Sequence, residues 1–142
     1  MSENLAFFNK FTAETFAALF ANFTVPQYVS FKAYSAELTD AYWSDPNSQS
    51  SKATIALRSM VEGTFNFLRE NGHISYKTSQ EGFNDVRLTE KALVALNIKP
   101  NSLTNTETIG VRIMSAVKEG THDVIAGAVN NLLSIGVRVL ID

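Results

Sequence analysis

The sequence predicts an α+β fold that is mostly α, with several helices around one small β-hairpin. Apolar residues recur at three- and four-residue spacings over long stretches, which is the pattern of helices with one buried face. Two short stretches instead alternate apolar and polar residues on either side of a polar turn, which predicts the hairpin. Both patterns meet in Phe65–Leu96, where a helix, a glycine, two strands and a further helix are predicted in succession.

The composition is that of one globular domain, or of one small domain with an appendage. The chain has 142 residues, of which 45% are hydrophobic and 18% charged, so it can bury a core. It has no cysteine, which excludes disulfides, thiolate metal ligands and cysteine nucleophiles. The formal net charge is −2, so the chain lacks the excess of basic residues that is typical of proteins that bind nucleic acid tightly as monomers. The N-terminal MSENLAFFNK has no signal-peptide pattern, so we expect a cytoplasmic protein.

The N-terminal half is expected to hold three helices and one short strand. Phenylalanine and leucine at helical spacing predict a first helix over about Asn9–Phe23. Alternation in Tyr28–Lys32 predicts a short strand, and Ser35–Trp43 is predicted to form a short helix. After a polar loop, a long helix is predicted over about Ser51–Asn71, with Gly63 as a place where it could bend or break.

The hairpin has a defined beginning and end in the sequence. Gly72 stands where a helix ends in a left-handed residue, a conformation that glycine adopts without a Cβ clash. His73–Leu88 then forms the two predicted strands, with an irregularity expected near Asn84. Thr89 is placed to cap a helix over about Thr89–Asn97.

A boundary near residue 100 is predicted from Pro100. Residues 1–100 are expected to form the main domain, and residues 101–142 a helical extension that packs back or dimerises. In this extension, Thr104 and Glu107 match a capping box at the start of a helix. A last helix follows, with a wide apolar face over Val124–Leu140.

Two stretches of the chain are similar to stretches of winged helix-turn-helix proteins: Phe67–Ile74 (FLRENGHI) and Val86–Lys91 (VRLTEK). In them a helix ends in an apolar pair and a glycine, a strand bearing isoleucine follows, and a later strand ends in Leu-Thr. The chain therefore resembles a winged-helix domain over about Asn9–Asn97. His73–Leu88 would be the wing, and two C-terminal helices would be added to the domain.

The resemblance implies a site for DNA. In DNA-binding members the start of the third helix enters the major groove, while the wing contacts the backbone or the minor groove. The implied positions hold only three cations, Lys52, Arg58 and Lys77, which are few for binding a DNA backbone. Glu81 and Asp85 would also repel phosphates, so an ordinary solvated surface is the alternative. The residues at the implied positions are Ser50, Ser51, Lys52, Thr54 and Arg58 on the helix, and Lys77, Thr78 and Gln80 on the wing.

The last helix has three possible uses. It packs on its own chain, pairs with the same helix of a second chain, or lies on a membrane surface. A transmembrane helix is not expected, because Asn130, Asn131 and Arg138 would be costly in lipid. Self-association would use the apolar residues Ile125, Val129, Leu132, Ile135 and Val139.

The sequence contains no pattern that predicts an enzyme, a metal site or a cofactor. Its two histidines, His73 and His122, do not have metal-ligand spacing, and no carboxylate cluster accompanies either of them. We therefore predict a non-enzymatic winged-helix protein, a small regulator that binds DNA as a homodimer. The alternative is a winged-helix protein-interaction or assembly module that does not bind nucleic acid.

Overall fold

The computed structural model describes residues 3–30, 49–80, 82–99 and 107–141. Over these residues the chain is mixed α+β and mostly helical, as predicted. The helices are α1 (Glu3–Ala21), α2 (Gln49–Glu70), α3 (Glu90–Leu96), α4 (Ile109–Glu119) and α5 (His122–Ile141). The strands are β1 (Gln27–Ser30), β2 (Ile74–Thr78) and β3 (Gly82–Leu88). The helix predicted at Ser35–Trp43 lies outside the described residues.

The strands form one antiparallel sheet of three strands in the order β1-β3-β2. The irregularity predicted near Asn84 is a bulge in the central strand: Ser75 and Lys77 of β2 face Arg87 and Asn84, so β3 has one extra residue between its partners. Within the bulge Asp85 has a left-handed backbone, with φ of 53°. This extra residue turns the Asp85 side chain towards cations on both strands of the hairpin.

A Schellman turn joins α2 to the hairpin. Gly72 has φ of 78°, as the helix end requires, and its N–H donates to the Arg69 carbonyl at 3.0 Å. The next N–H, of His73, donates to the Leu68 carbonyl at 2.8 Å. The predicted helix stop is therefore confirmed. The alternative of a break at Gly63 is wrong, because α2 is continuous from Gln49 to Glu70.

Helix α3 begins where the sequence predicts. The Thr89 hydroxyl accepts a hydrogen bond from the Ala92 N–H at 3.1 Å, so Thr89 is its N-cap. The start of α4 differs from the prediction. Its N-cap is Thr108, whose hydroxyl accepts from the Val111 N–H at 3.2 Å. Glu107 precedes this cap, and Thr104 lies outside the described residues, so the predicted capping box does not begin the helix.

One hydrophobic core joins the helices and the sheet. Its largest fully buried side chains are Phe11, Phe16, Phe65, Phe83, Leu68, Ile74, Leu96, Ile109, Ile113, Leu132, Val61 and Val86. Helix α1 lies against α2, α4 and α5, and α5 also contacts α3. The boundary predicted near residue 100 therefore does not separate two cores, because α4 and α5 contribute to the same core as α1.

Two phenylalanine side chains near the core are exposed to a large extent. Phe67 is 45% exposed, because α2 turns Val61, Phe65 and Leu68 inward and leaves Phe67 at the margin of that face. Phe23 follows the end of α1 and is also largely exposed. In the described part of the chain, no helix has the length and apolar character needed to cross a membrane.

Candidate binding groove

A polar groove runs between the C-terminal half of α2 and the hairpin. We call it the helix–hairpin groove. Its volume is about 500 Å³, within the range of roughly 300–1,000 Å³ that is usual for ligand sites. Its lining residues are Ser59, Glu62, Gly63, Asn66 and Arg69 of α2, and Tyr76, Thr78, Ser79 and Phe83 of the hairpin.

A cluster of three aromatic rings lies beneath this groove, and two of them, Tyr76 and Phe83, line it. Phe65 and Phe83 are fully buried, with ring centroids 4.2 Å apart. The Tyr76 ring meets Phe83 edge to face at 4.9 Å, and it lies tilted against Phe65 with centroids 5.5 Å apart. Burial raises the pKa of the Tyr76 hydroxyl above its usual value, so Tyr76 is a neutral phenol at physiological pH. These contacts anchor the hairpin on α2 and give the groove a firm apolar base.

Arg69 lies over this aromatic cluster. Its guanidinium carbon is 4.5 Å from the centroid of the Tyr76 ring, a cation–π contact. One of its terminal nitrogens donates to the Asn66 side-chain oxygen at 3.1 Å. The Asn66 amide in turn donates to the Glu70 carboxylate at 3.4 Å. The cation of Arg69 is therefore held in one place beside the groove.

Arg58 lies beside the turn of the hairpin. It forms an ion pair with Glu62 at 3.1 Å and donates to the backbone carbonyl of Gln80 at 3.2 Å. The predicted DNA-binding residues Arg58 and Gln80 are thus brought together, and the contact uses the backbone carbonyl of Gln80. Arg58 connects α2 to the hairpin turn and is partly neutralised by Glu62.

Two other predicted DNA-binding residues lie on opposite faces of β2. Thr78 lines the groove, whereas Lys77 points to the other face of the sheet because successive strand residues alternate. Lys77 is highly exposed, and its ammonium lies 3.8 Å from the Asp85 carboxylate. Arg87 lies at the same distance from the other oxygen of that carboxylate. One acid therefore faces two cations.

The side chains of the remaining predicted DNA-binding residues, Ser50, Ser51, Lys52 and Thr54, lie outside the described residues.

The predicted oligomer contacts have a different outcome. Ile125, Val129 and Leu132 are buried in the core of their own chain, between α5 and the helices it contacts. These three are therefore core residues of a single chain, and their predicted role in self-association stays a prediction. The side chains of Ile135 and Val139 lie outside the described residues.

A second groove, apolar and of about 410 Å³, lies between α1 and α2. Leu5 and Phe67 are its exposed large apolar side chains, and Phe8 meets Phe67 edge to face at 5.5 Å. Gly63 borders both grooves.

The described residues contain no group of three or more His, Asp or Glu side chains able to hold a metal ion.

The sequence interpretation missed the groove side of α2. Ser59, Glu62, Asn66 and Arg69 are spaced by three, four and three residues, which places them on one stripe of a helix. That polar stripe beside an apolar face was the available signal. Its pairing with Tyr76 was not visible, because a helical period does not show which strand lies beside the stripe.

No protein-family model, curated protein or solved structure matches the chain. Its function is therefore inferred from the geometry of the described residues.

Proposed function

We propose that this chain is a non-enzymatic winged-helix module that binds a partner protein through the helix–hairpin groove. The element order supports the winged-helix assignment: a helix, a strand, a long helix and a hairpin follow one another, and β1 pairs with the second hairpin strand in the order β1-β3-β2. In this arrangement α2 takes the position of the third helix and β2–β3 that of the wing.

The pairing of charges on α2 and the hairpin carries the choice of a protein partner. Arg58 is paired with Glu62, while Lys77 and Arg87 share Asp85. A phosphate would have to compete with these carboxylates, and each carboxylate repels the DNA backbone. Non-specific DNA affinity depends mainly on the number of phosphates that cations neutralise, so this surface is poorly suited to it. The net charge of −2 adds a weak general repulsion.

A groove variant and a matched surface variant test this proposal. Asn66→Trp places a large ring in the groove from an exposed helix position, whereas Arg87→Gln changes an exposed cation that does not line it. We expect partners captured from cells by the wild type to be retained by Arg87→Gln and lost by Asn66→Trp, with both variants folded by circular dichroism. Equal capture by all three chains would contradict the proposal.

DNA binding as a homodimer is the second candidate, favoured by Lys77, whose side chain is 81% exposed. Ile125, Val129 and Leu132 are buried within a single chain, so a dimer that forms without repacking of α5 would use another surface. Mobility-shift titrations with a random-sequence duplex at low and moderate salt decide between the candidates. We expect no shift with the wild type. A shift that weakens with salt and strengthens in Asp85→Asn, which frees Lys77 and Arg87, would favour DNA.

A further inference from the structure

The edge of the sheet nearest the helix–hairpin groove is β2. In the described sheet β2 pairs with β3 alone, so its other edge has no strand beside it. The groove is lined by Tyr76, Thr78 and Phe83 and by no residue of β1, which places it on the β2 side. An unpaired strand edge presents backbone N–H and C=O groups that can bind another extended chain.

The opposite wall of the groove leaves room for such a chain. Gly63 lies inside the 22-residue helix α2, where glycine is less stable than alanine. A Cβ at this position would meet nothing within 4 Å, so packing among the surrounding atoms does not require glycine. The missing side chain widens the groove between α2 and β2.

The charges of the groove indicate what the bound chain carries. Arg69 is the lining cation with no carboxylate within ion-pair distance among the described residues, and its guanidinium retains free N–H groups beside Tyr76. The nearby carboxylates have partners: Glu62 pairs with Arg58, and Glu70 accepts from Asn66. An acidic group entering the groove would therefore meet an available cation that is already oriented by Tyr76 and Asn66.

We propose that the helix–hairpin groove binds an extended acidic peptide segment of the partner, which adds to the free edge of β2 and places an Asp or Glu carboxylate on Arg69. This inference rests on the proposed function and specifies its partner. Backbone hydrogen bonds to β2 supply the affinity that does not depend on sequence, and Arg69 supplies the preference for an acid.

The test uses the full chain and a display library of short random peptides. We expect the selected peptides to carry an Asp or Glu among β-forming residues. Binding of one labelled peptide is then measured by fluorescence anisotropy. Arg69→Gln should weaken it about tenfold, the size typical of losing a charge-assisted contact, while Arg87→Gln should leave it within about twofold. Both substitutions are at exposed positions, so the variants should fold.

Amide hydrogen exchange identifies the strand. The bound peptide should slow exchange at alternate amides of β2, Ile74–Thr78, and leave β1 unchanged. Peptides that bind Arg69→Gln as tightly as the wild type, or that protect β1 instead of β2, would overturn the inference.

The remaining outcomes separate this inference from the proposed function. If the library yields no peptide but a partner still depends on the groove in the Asn66→Trp comparison, the peptide inference fails and the proposed function stands. If no peptide is selected and no partner depends on the groove, both fail.

Discussion

The ring of Phe20 lies directly against the backbone of Gly110. A Cβ at Gly110 would lie 2.6 Å from two carbons of that ring, well inside van der Waals contact. Phe20 is near the end of α1 and Gly110 is in the first turn of α4, so this contact sets how closely the two helices approach. It is also a contact between the N-terminal part of the chain and its C-terminal helices.

Gly110→Ala should destabilise the protein by about 1–3 kcal/mol, because the methyl group must displace the Phe20 ring or separate the helices. Gly127→Ala is the matched control: it is also a glycine in a C-terminal helix, and a Cβ there meets nothing within 4 Å. Its greater helix propensity should raise stability by up to about 1 kcal/mol. Urea unfolding of the two variants measures both changes. Equal effects in the same direction would contradict the close approach at Gly110.

Thr89→Ala should cost about 1–2 kcal/mol, more than the loss of a simple N-cap. The Thr89 hydroxyl caps α3 and also donates to the Gly72 carbonyl, so it joins the helix to the turn that ends α2. Thr108→Ala is the control, since the Thr108 hydroxyl caps α4 through the Val111 N–H. We expect the smaller loss there, about 1 kcal/mol, by thermal unfolding. A larger loss at Thr108 would show that the link to Gly72 contributes nothing.

His73 should make stability depend on pH between about 6.5 and 4. Burial, together with a smaller effect of the nearby Lys91 ammonium, lowers the pKa of His73 from 6.5 to about 4. Since the folded-state pKa lies below the unfolded value, the unfolded chain binds the proton more readily. The free energy of unfolding should therefore be highest above pH 6.5 and fall by about 3 kcal/mol as the pH decreases to 4. Below pH 4 this group should cause no further loss.

The variant that isolates this effect is His73→Phe. It keeps a ring next to Phe16, which His73 meets edge to face, and removes the titrating group. Among the described residues the His73 Nδ1 atom has no hydrogen-bond partner, so the replacement loses no known bond at that atom. Urea unfolding across this pH range gives the difference in free energy of unfolding between the wild type and His73→Phe. This difference should change by about 3 kcal/mol between pH 6.5 and pH 4. A constant difference would show that His73 does not titrate in this way.

Leu132→Ala should destabilise the chain by about 2–5 kcal/mol at every protein concentration, because Leu132 is fully buried within its own chain. Val124→Ala in the same helix shortens a side chain that is 41% exposed and should change stability far less, by no more than about 0.5 kcal/mol. Unfolding midpoints over a range of protein concentrations check this. If the wild-type midpoint rises with protein concentration and the Leu132→Ala midpoint does not, Leu132 would contribute to an interface between two chains.

The helix ends and the hairpin were predictable because their causes are local. Gly72 ends α2 because it adopts φ of 78°, and Thr89 caps α3 through an N–H three residues away. The alternation around the polar turn likewise depends on neighbouring residues. Where a local signal failed, as at the capping box of Thr104 and Glu107, another local signal at Thr108 prevailed.

The use of each apolar or polar face was not predictable, because it depends on segments far apart in the chain. The spacing in α5 marks Ile125, Val129 and Leu132 as one face, but the same spacing suits a second chain or its own core. The arrangement of α1 between α2 and the C-terminal helices settles that face as core. The groove has the same origin. Arg69 and Tyr76 belong to elements with ordinary patterns, and only the packing of α2 against the hairpin places the Arg69 guanidinium over the Tyr76 ring, on a strand that lies at the edge of the described sheet.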